Sequence, residues 1–156
     1  MSKLLNTTKL NKVLTGLKRK KKKVVITNGC FDIIHPGHIE VLRKSKKLGD
    51  VLIVLLNSDK SVKKLKGKIM PIINQDGRIE ILKSIKYVDF IVLFNELTPV
   101  KLYKKIKPNF LTKGSQYTLN NIIGKKLIEK NGGKIKLIKM LPNISTTLIL
   151  KKISKI

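Results

Sequence analysis

His35 and His38 are the only histidines in a chain of 156 residues, and Pro36-Gly37 separates them. A spacing of i, i+3 puts both rings on one side of a helical turn, where both can touch a single phosphate chain. Pro36 fixes the entry to that turn and Gly37 lets backbone approach a ligand. Much later, Ser145-Thr146-Thr147 opens another helix, and hydroxyls with free N–H groups at a helix start bind phosphate oxygens readily. Capping accounts for one hydroxyl of the three. In an arbitrary protein His35 would cap a loop and His38 would pack on a sheet. Here their place directly after a strand and a glycine turn points to phosphate chemistry instead.

The elements that must position these groups follow from hydrophobic pattern. Val24 to Thr27 is a short continuous apolar or β-branched run, suited to a buried parallel strand. Asn28 and Gly29 end it, and Cys30-Phe31-Asp32 leads through the histidines into a helix bearing Ile39, Val41, Leu42 and Leu48. In an open parallel sheet, backbone N–H groups and the helix dipole converge on a phosphate beyond the strand's carboxyl end.

Val51 to Leu56 reads as a second strand, with Asn57-Ser58-Asp59 at its carboxyl end. Lys60 to Pro71 lacks regular periodicity and reads as a mobile basic loop over the site. Arg78 begins a helix with Ile79, Leu82 and Ile85 inward, and Gly77 weakens its start. Val88 to Phe94 is a third strand. Thr98 and Pro99 are N-cap and N1 of a helix bearing Val100, Leu102, Tyr103 and Ile106. Asn109 to Thr112 is a fourth strand, ending in Lys113-Gly114-Ser115-Gln116-Tyr117. A helix from Asn120 stops at Asn131-Gly132-Gly133, and Lys134 to Leu141 is a fifth strand before the last helix. This alternation predicts an α/β fold, a doubly wound Rossmann-like sandwich with a mostly parallel five-stranded sheet. Residues 1–23 read as an N-terminal helix, capped by Thr8, with a basic linker from Arg19 to Lys23; residues 24–156 are the domain that carries the site.

The length suits one domain with a real core. A formal charge of +26 invites a nucleic-acid reading. The lysines, however, are spread through every segment, only Arg19, Arg43 and Arg78 are arginines among 35 basic residues, and aromatics for base stacking are few. The excess of lysine, isoleucine and asparagine is attributed mainly to A/T-rich codons, and no specific nucleic acid is expected as a partner. Cys30 is the single cysteine, which excludes an internal disulfide and fits a reducing compartment. No apolar stretch approaches membrane-helix length, no secretory leader is visible, and cytoplasm is the expected location. There is no Cys/His cluster with zinc spacing and no hydrolytic triad, so no protein-held metal is expected.

Gly29-Cys30-Phe31-Asp32 followed by His35-Pro36-Gly37-His38 resembles the GxFDxxHxGH signature of the cytidylyltransferase-like nucleotidyltransferase superfamily. Ile144-Ser145-Thr146-Thr147 resembles its second signature, GxSTT, with Asn143 in the preceding position. The longer wording TNGCFDIIHPGH with SKKLGDVLIVLLNSD is most similar to adenylyltransferases that make ADP-heptose from D-glycero-β-D-manno-heptose 1-phosphate and ATP, and the likeness runs from about Val24 to Ile153. Two positions depart from those relatives: Asp76-Gly77 replaces an acidic-Gln pair, and Gln116 stands where KGxDY has aspartate, so its amide cannot supply that charge.

The resemblance implies transfer of AMP from ATP to the sugar 1-phosphate, with pyrophosphate leaving; the alternative is glycerol-3-phosphate cytidylyltransferase or another nucleotidyltransferase with a small phosphorylated acceptor. The acceptor phosphate is already an anion near pH 7, so the protein need only position the reactants and stabilise charge. His35, His38 and Lys46 are the expected catalytic residues. Asn28, Gly29, Cys30, Phe31, Gly37, Asp59, Lys66, Arg78, Gly114, Ser145, Thr146 and Thr147 are expected at the nucleotide, with Lys66 or Arg78 on the departing pyrophosphate. Asp32, Lys101 and Lys113 are expected at the acceptor. The resemblance further implies Mg2+ held mainly by ATP phosphates, a sugar kinase on a separate chain, and a possible homo-oligomer.

Overall fold

A computed structural model describes residues 3–155 except Gln116. Among them, helices and strands alternate as α1 (Thr7–Arg19), β1 (Val24–Gly29), α2 (Pro36–Lys46), β2 (Val51–Asn57), α3 (Asp59–Lys66), α4 (Gln75–Ser84), β3 (Phe90–Phe94), α5 (Val100–Ile106), β4 (Phe110–Gly114), α6 (Lys125–Lys130), β5 (Lys134–Ile138) and α7 (Thr146–Ile153). The five strands form one sheet in the order β3-β2-β1-β4-β5, and every pairing is parallel, with Val24 opposite Val51 and Thr27 opposite Thr112. The expected doubly wound sheet is therefore present and wholly parallel. Central β1 and β2 are apolar because helices cover both faces: Val25, Ile26 and Leu52 to Leu56 are completely buried. Strand order reverses between β1 and β4, which opens a crevice at their carboxyl ends.

The N-terminal segment is part of this body. Leu5 donates its N–H to Ile91 O, and Ile91 N–H bonds Lys3 O, so the segment runs along the outer edge of β3. Leu5 and Leu10 are buried in the same core cluster as Ile26, Ile53 and Tyr103. The α1 cap is Asn6, whose side chain accepts from Lys9 N–H, rather than Thr8.

Four other expectations are corrected. The stretch from Lys60 is α3 up to Lys66, capped by Ser58 and started by Asp59, with Lys63, Lys64 and Lys66 at its negative end. A single completely buried apolar residue, Val62, anchors it, too little for a visible period. Pro99, not Thr98, occupies the N-cap of α5. The helix expected from Asn120 is a 3-10 turn at Leu119–Asn121 followed by a break and then α6. The break is at Gly124, φ +81°, where an added Cβ would lie 2.8 Å from the Tyr103 ring. Only glycine fits that position, and the left-handed residue stops the helix. Gly77 does not leave its helix start loose, since its N–H is capped by Asn74 Oδ1 at 2.9 Å.

Candidate active site

Over the crevice lies a cleft of about 640 Å³, lined by the ends of β1 and β4, the start of α2, the end of α3 and the start of α7. It has the size of an ordinary small-molecule site. His35 is the N-cap of α2, with Pro36 in the first turn behind it. Its ring folds back over Gly37, whose missing Cβ would sit 2.9 Å from His35 Cε1. His38 lies in the first turn of α2, and the two ring centroids are 3.9 Å apart, with the Phe31 ring 5.3 Å from His38. Both Nδ1 atoms are buried without a hydrogen-bond partner. Met140 Cε lies 3.6 Å from where a Gly37 Cβ would project, so the β5–α7 loop meets the α2 start. Asn143 in that loop has φ +58°, a left-handed conformation that asparagine tolerates.

Burial depresses both imidazoles. His38 is held down to about 4 by burial first, then by His35 and the Lys66 ammonium; His35 is lowered by burial. Between pH 4 and 6.5 the unfolded chain therefore binds protons that the folded chain refuses, and stability must fall as pH drops through that window. The carboxylates with lowered pKa contribute only at lower pH: Glu40 is held at about 2 by Arg43 and Lys44. Moving from pH 7.5 to 5 should cost roughly 1–2 kcal/mol, read as a lower urea midpoint. In His38→Asn most of that slope should vanish; an unchanged slope would assign it elsewhere.

The last helix completes the cleft wall. Ser145 is the N-cap of α7, its Oγ accepting from Leu148 N–H at 3.2 Å, so one hydroxyl is accounted for by capping. Ser145, Thr146 and Thr147 all line the same cleft as the two histidines. Opposite, Lys113 is lowered to about 8 by burial; its Nζ donates to Asn28 O at 3.3 Å and sits 4.8 Å from the Tyr117 ring centroid. Asn28, Gly29, Cys30, Phe31, Lys66 and Gly114 also line the cleft. Burial raises the Cys30 thiol.

Five expected site residues are placed differently. Lys46, at the far end of α2, donates to Asp50 O and Asp89 Oδ2, both at 2.6 Å, at the opposite rim of the sheet. A lysine in the last turn of a helix whose first turn faces the ligand cannot reach it. Arg78 is completely buried, bonded to Ile73 O, Cys30 O, Asn57 O and Asp59 Oδ1, and Asp59 is thereby committed to Arg78. Asp32 lines the cleft floor, yet its two carboxylate oxygens accept from Ile72 N–H at 2.9 Å and Ile73 N–H at 2.8 Å. Lys101 is exposed, 3.3 Å from Glu96, and lines a separate groove beside α1. Gln116 lies outside the described residues.

The cleft also holds groups that pattern alone did not single out. Asn57, Leu65, Leu97, Tyr103 and Ile123 line it, and of these only Asn57 had a visible signal, at a strand's carboxyl end. Among the described residues, no three His, Cys, Asp or Glu side chains are grouped to hold a metal ion, and no helix is long and apolar enough to cross a membrane. Asp32 is the one carboxylate among the described residues that line the cleft, and each of its oxygens accepts a backbone N–H.

A family model for cytidylyltransferase-like proteins matches residues 26–152. The chain is 40% identical over 154 residues to the bifunctional protein HldE of Geobacter sulfurreducens, covering 99% of this chain and 31% of that protein. It is 44% identical over 146 residues to the bifunctional protein HldE of Helicobacter pylori, covering 94% and 31%. The chain thus spans about a third of the length of these curated relatives. The crystal structure of the lipopolysaccharide core biosynthesis protein from Thermoplasma volcanium superposes with a TM-score of 0.61 at 33% identity, over 77% of this chain and 97% of that one.

Proposed function

The chain belongs to the cytidylyltransferase-like family, and from that premise we propose that it transfers AMP from ATP to D-glycero-β-D-manno-heptose 1-phosphate, releasing pyrophosphate and ADP-heptose. One observation carries the phosphate chemistry: two imidazoles in contact at the start of α2 and three hydroxyl residues from the start of α7 line a single cleft at the carboxyl rim of the sheet. The acceptor is read from the relatives, which include HldE proteins and a lipopolysaccharide core biosynthesis protein, and from the TNGCFDIIHPGH wording.

In this reaction an acceptor phosphate oxygen forms a bond to the α-phosphorus of ATP as the bond to the bridging oxygen breaks, and pyrophosphate takes the electron pair. The acceptor needs no deprotonation, so the work of the protein is alignment and charge stabilisation. His35 and His38 offer ring N–H groups to the phosphoryl oxygens. Thr146 and Thr147 offer hydroxyls, and Lys66 at the end of α3 and Lys113 in β4 supply positive charge. Mg2+ enters as part of the Mg–ATP substrate, held mainly by the ATP phosphates.

Two substrate pairs separate this reading from its nearest rival. ATP with the heptose 1-phosphate should release pyrophosphate, whereas CTP with glycerol 3-phosphate should not. The reverse pattern would make the protein a glycerol-3-phosphate cytidylyltransferase.

A further inference from the structure

Tyr103 belongs to α5, whose periodicity marks it as a core residue, and its ring is indeed 1% exposed within the main core cluster. Its hydroxyl, however, emerges at the cleft, where it donates to Asn28 Oδ1 at 2.7 Å. Burial raises this phenol far above its ordinary value, so it stays protonated as a donor at any physiological pH. The ring cannot drift: Gly124 packs against its edge so closely that a Cβ there would lie 2.8 Å from Cδ2. Asn28 is held on its backbone side too, where its carbonyl accepts from Lys113 Nζ at 3.3 Å.

A primary amide has one acceptor oxygen and two N–H donors. With the oxygen taken by Tyr103, the two N–H donors of an amide that lines the cleft are left for another partner. We infer that Tyr103 is a positioning residue that orients the Asn28 amide so that its N–H groups face the nucleotide. Without the phenol the amide can turn over and present its oxygen to anionic phosphates, which repel it. Tyr103 acts through Asn28 and touches no reacting atom itself. This inference rests on the nucleotidyl-transfer reading of the cleft.

The test is calorimetric titration of Mg–ATP into the full chain and three variants, which requires no acceptor. Tyr103→Phe keeps the ring and should weaken ATP binding about tenfold, with a thermal midpoint within a few degrees of the parent. Asn28→Ala should weaken it at least as much. The double variant should bind no worse than Asn28→Ala alone, because the phenol has nothing left to orient. Multiplied losses in the double variant, or undiminished binding in Tyr103→Phe, overturn the inference. In the parent chain, the side-chain amide pair of Asn28 should shift in the 1H–15N spectrum on adding Mg–ATP; a motionless pair overturns it independently of whether Tyr103→Phe folds. Should these couplings hold while heptose 1-phosphate is not adenylated, the acceptor assignment falls and the positioning role stands.

Discussion

Replacing His38 with alanine should cut turnover at least a hundredfold while the thermal transition stays in place. The reason is where the ring sits. His38 packs against Phe31 and His35 with Nδ1 unpartnered by protein, so the fold gains little from that atom, while the residue lines the cleft that takes the phosphates. A preorganised donor aimed at the transferring phosphoryl group is worth on the order of 3 kcal/mol, the equivalent of that loss. The pKa adds a second readout. Held at about 4 in the free protein, the ring must rise when a polyanion arrives beside it. ATP binding should therefore take up protons below about pH 7, seen as a dependence of the calorimetric enthalpy on buffer ionisation. His38→Ala should lose part of that uptake together with the turnover. Near-normal turnover in the variant would remove His38 from the chemistry.

How much of this was legible in the sequence depends on the kind of signal each residue carries. His35, His38, Gly37 and Ser145 to Thr147 were readable because each combines an unusual side chain with an element boundary, and boundaries in a parallel α/β sheet map directly to one rim. The strands were readable because burial on both faces writes a continuous apolar run. Charge was a poor guide. In a chain where lysine is everywhere, a lysine's place in a motif says little about which rim it faces: Lys46 is the last residue of α2, too far along the axis to share the ligand of its first turn, and Lys101 points to solvent. Carboxylates misled in another way. Asp32 and Asp59 sit in or beside the signature, but backbone N–H groups and a buried guanidinium use their oxygens. Tyr103 was the reverse case, since its apolar body follows helical period and conceals the polar tip that reaches Asn28. None of these is a failure of pattern; each is decided by long-range partners that no local window contains.

The same logic makes Arg78 the residue whose loss should cost most stability. Its side chain is completely buried and its N–H groups tie four acceptors from four places: Ile73 O before α4, Cys30 O after β1, Asn57 O at the end of β2, and Asp59 Oδ1 at the start of α3. That knot fixes the histidine loop to the neighbouring strand, and with Asp32 it pins the chain at Ile72 and Ile73 beneath the cleft. Arg78→Met leaves three carbonyls and a carboxylate facing an apolar chain, a loss of about 3–5 kcal/mol and a melting point lower by roughly 10 °C. Arg78→Lys should recover only part, because one ammonium cannot span acceptors that a planar fork reaches together. The distinguishing measurement is stability set beside ATP affinity. If Arg78 were a pyrophosphate ligand, Arg78→Lys would melt like the parent and bind ATP poorly. A buried tie predicts the opposite order of effects: the transition falls first, and what ATP affinity is lost at low temperature follows from loosening of the loop that carries His35 and His38.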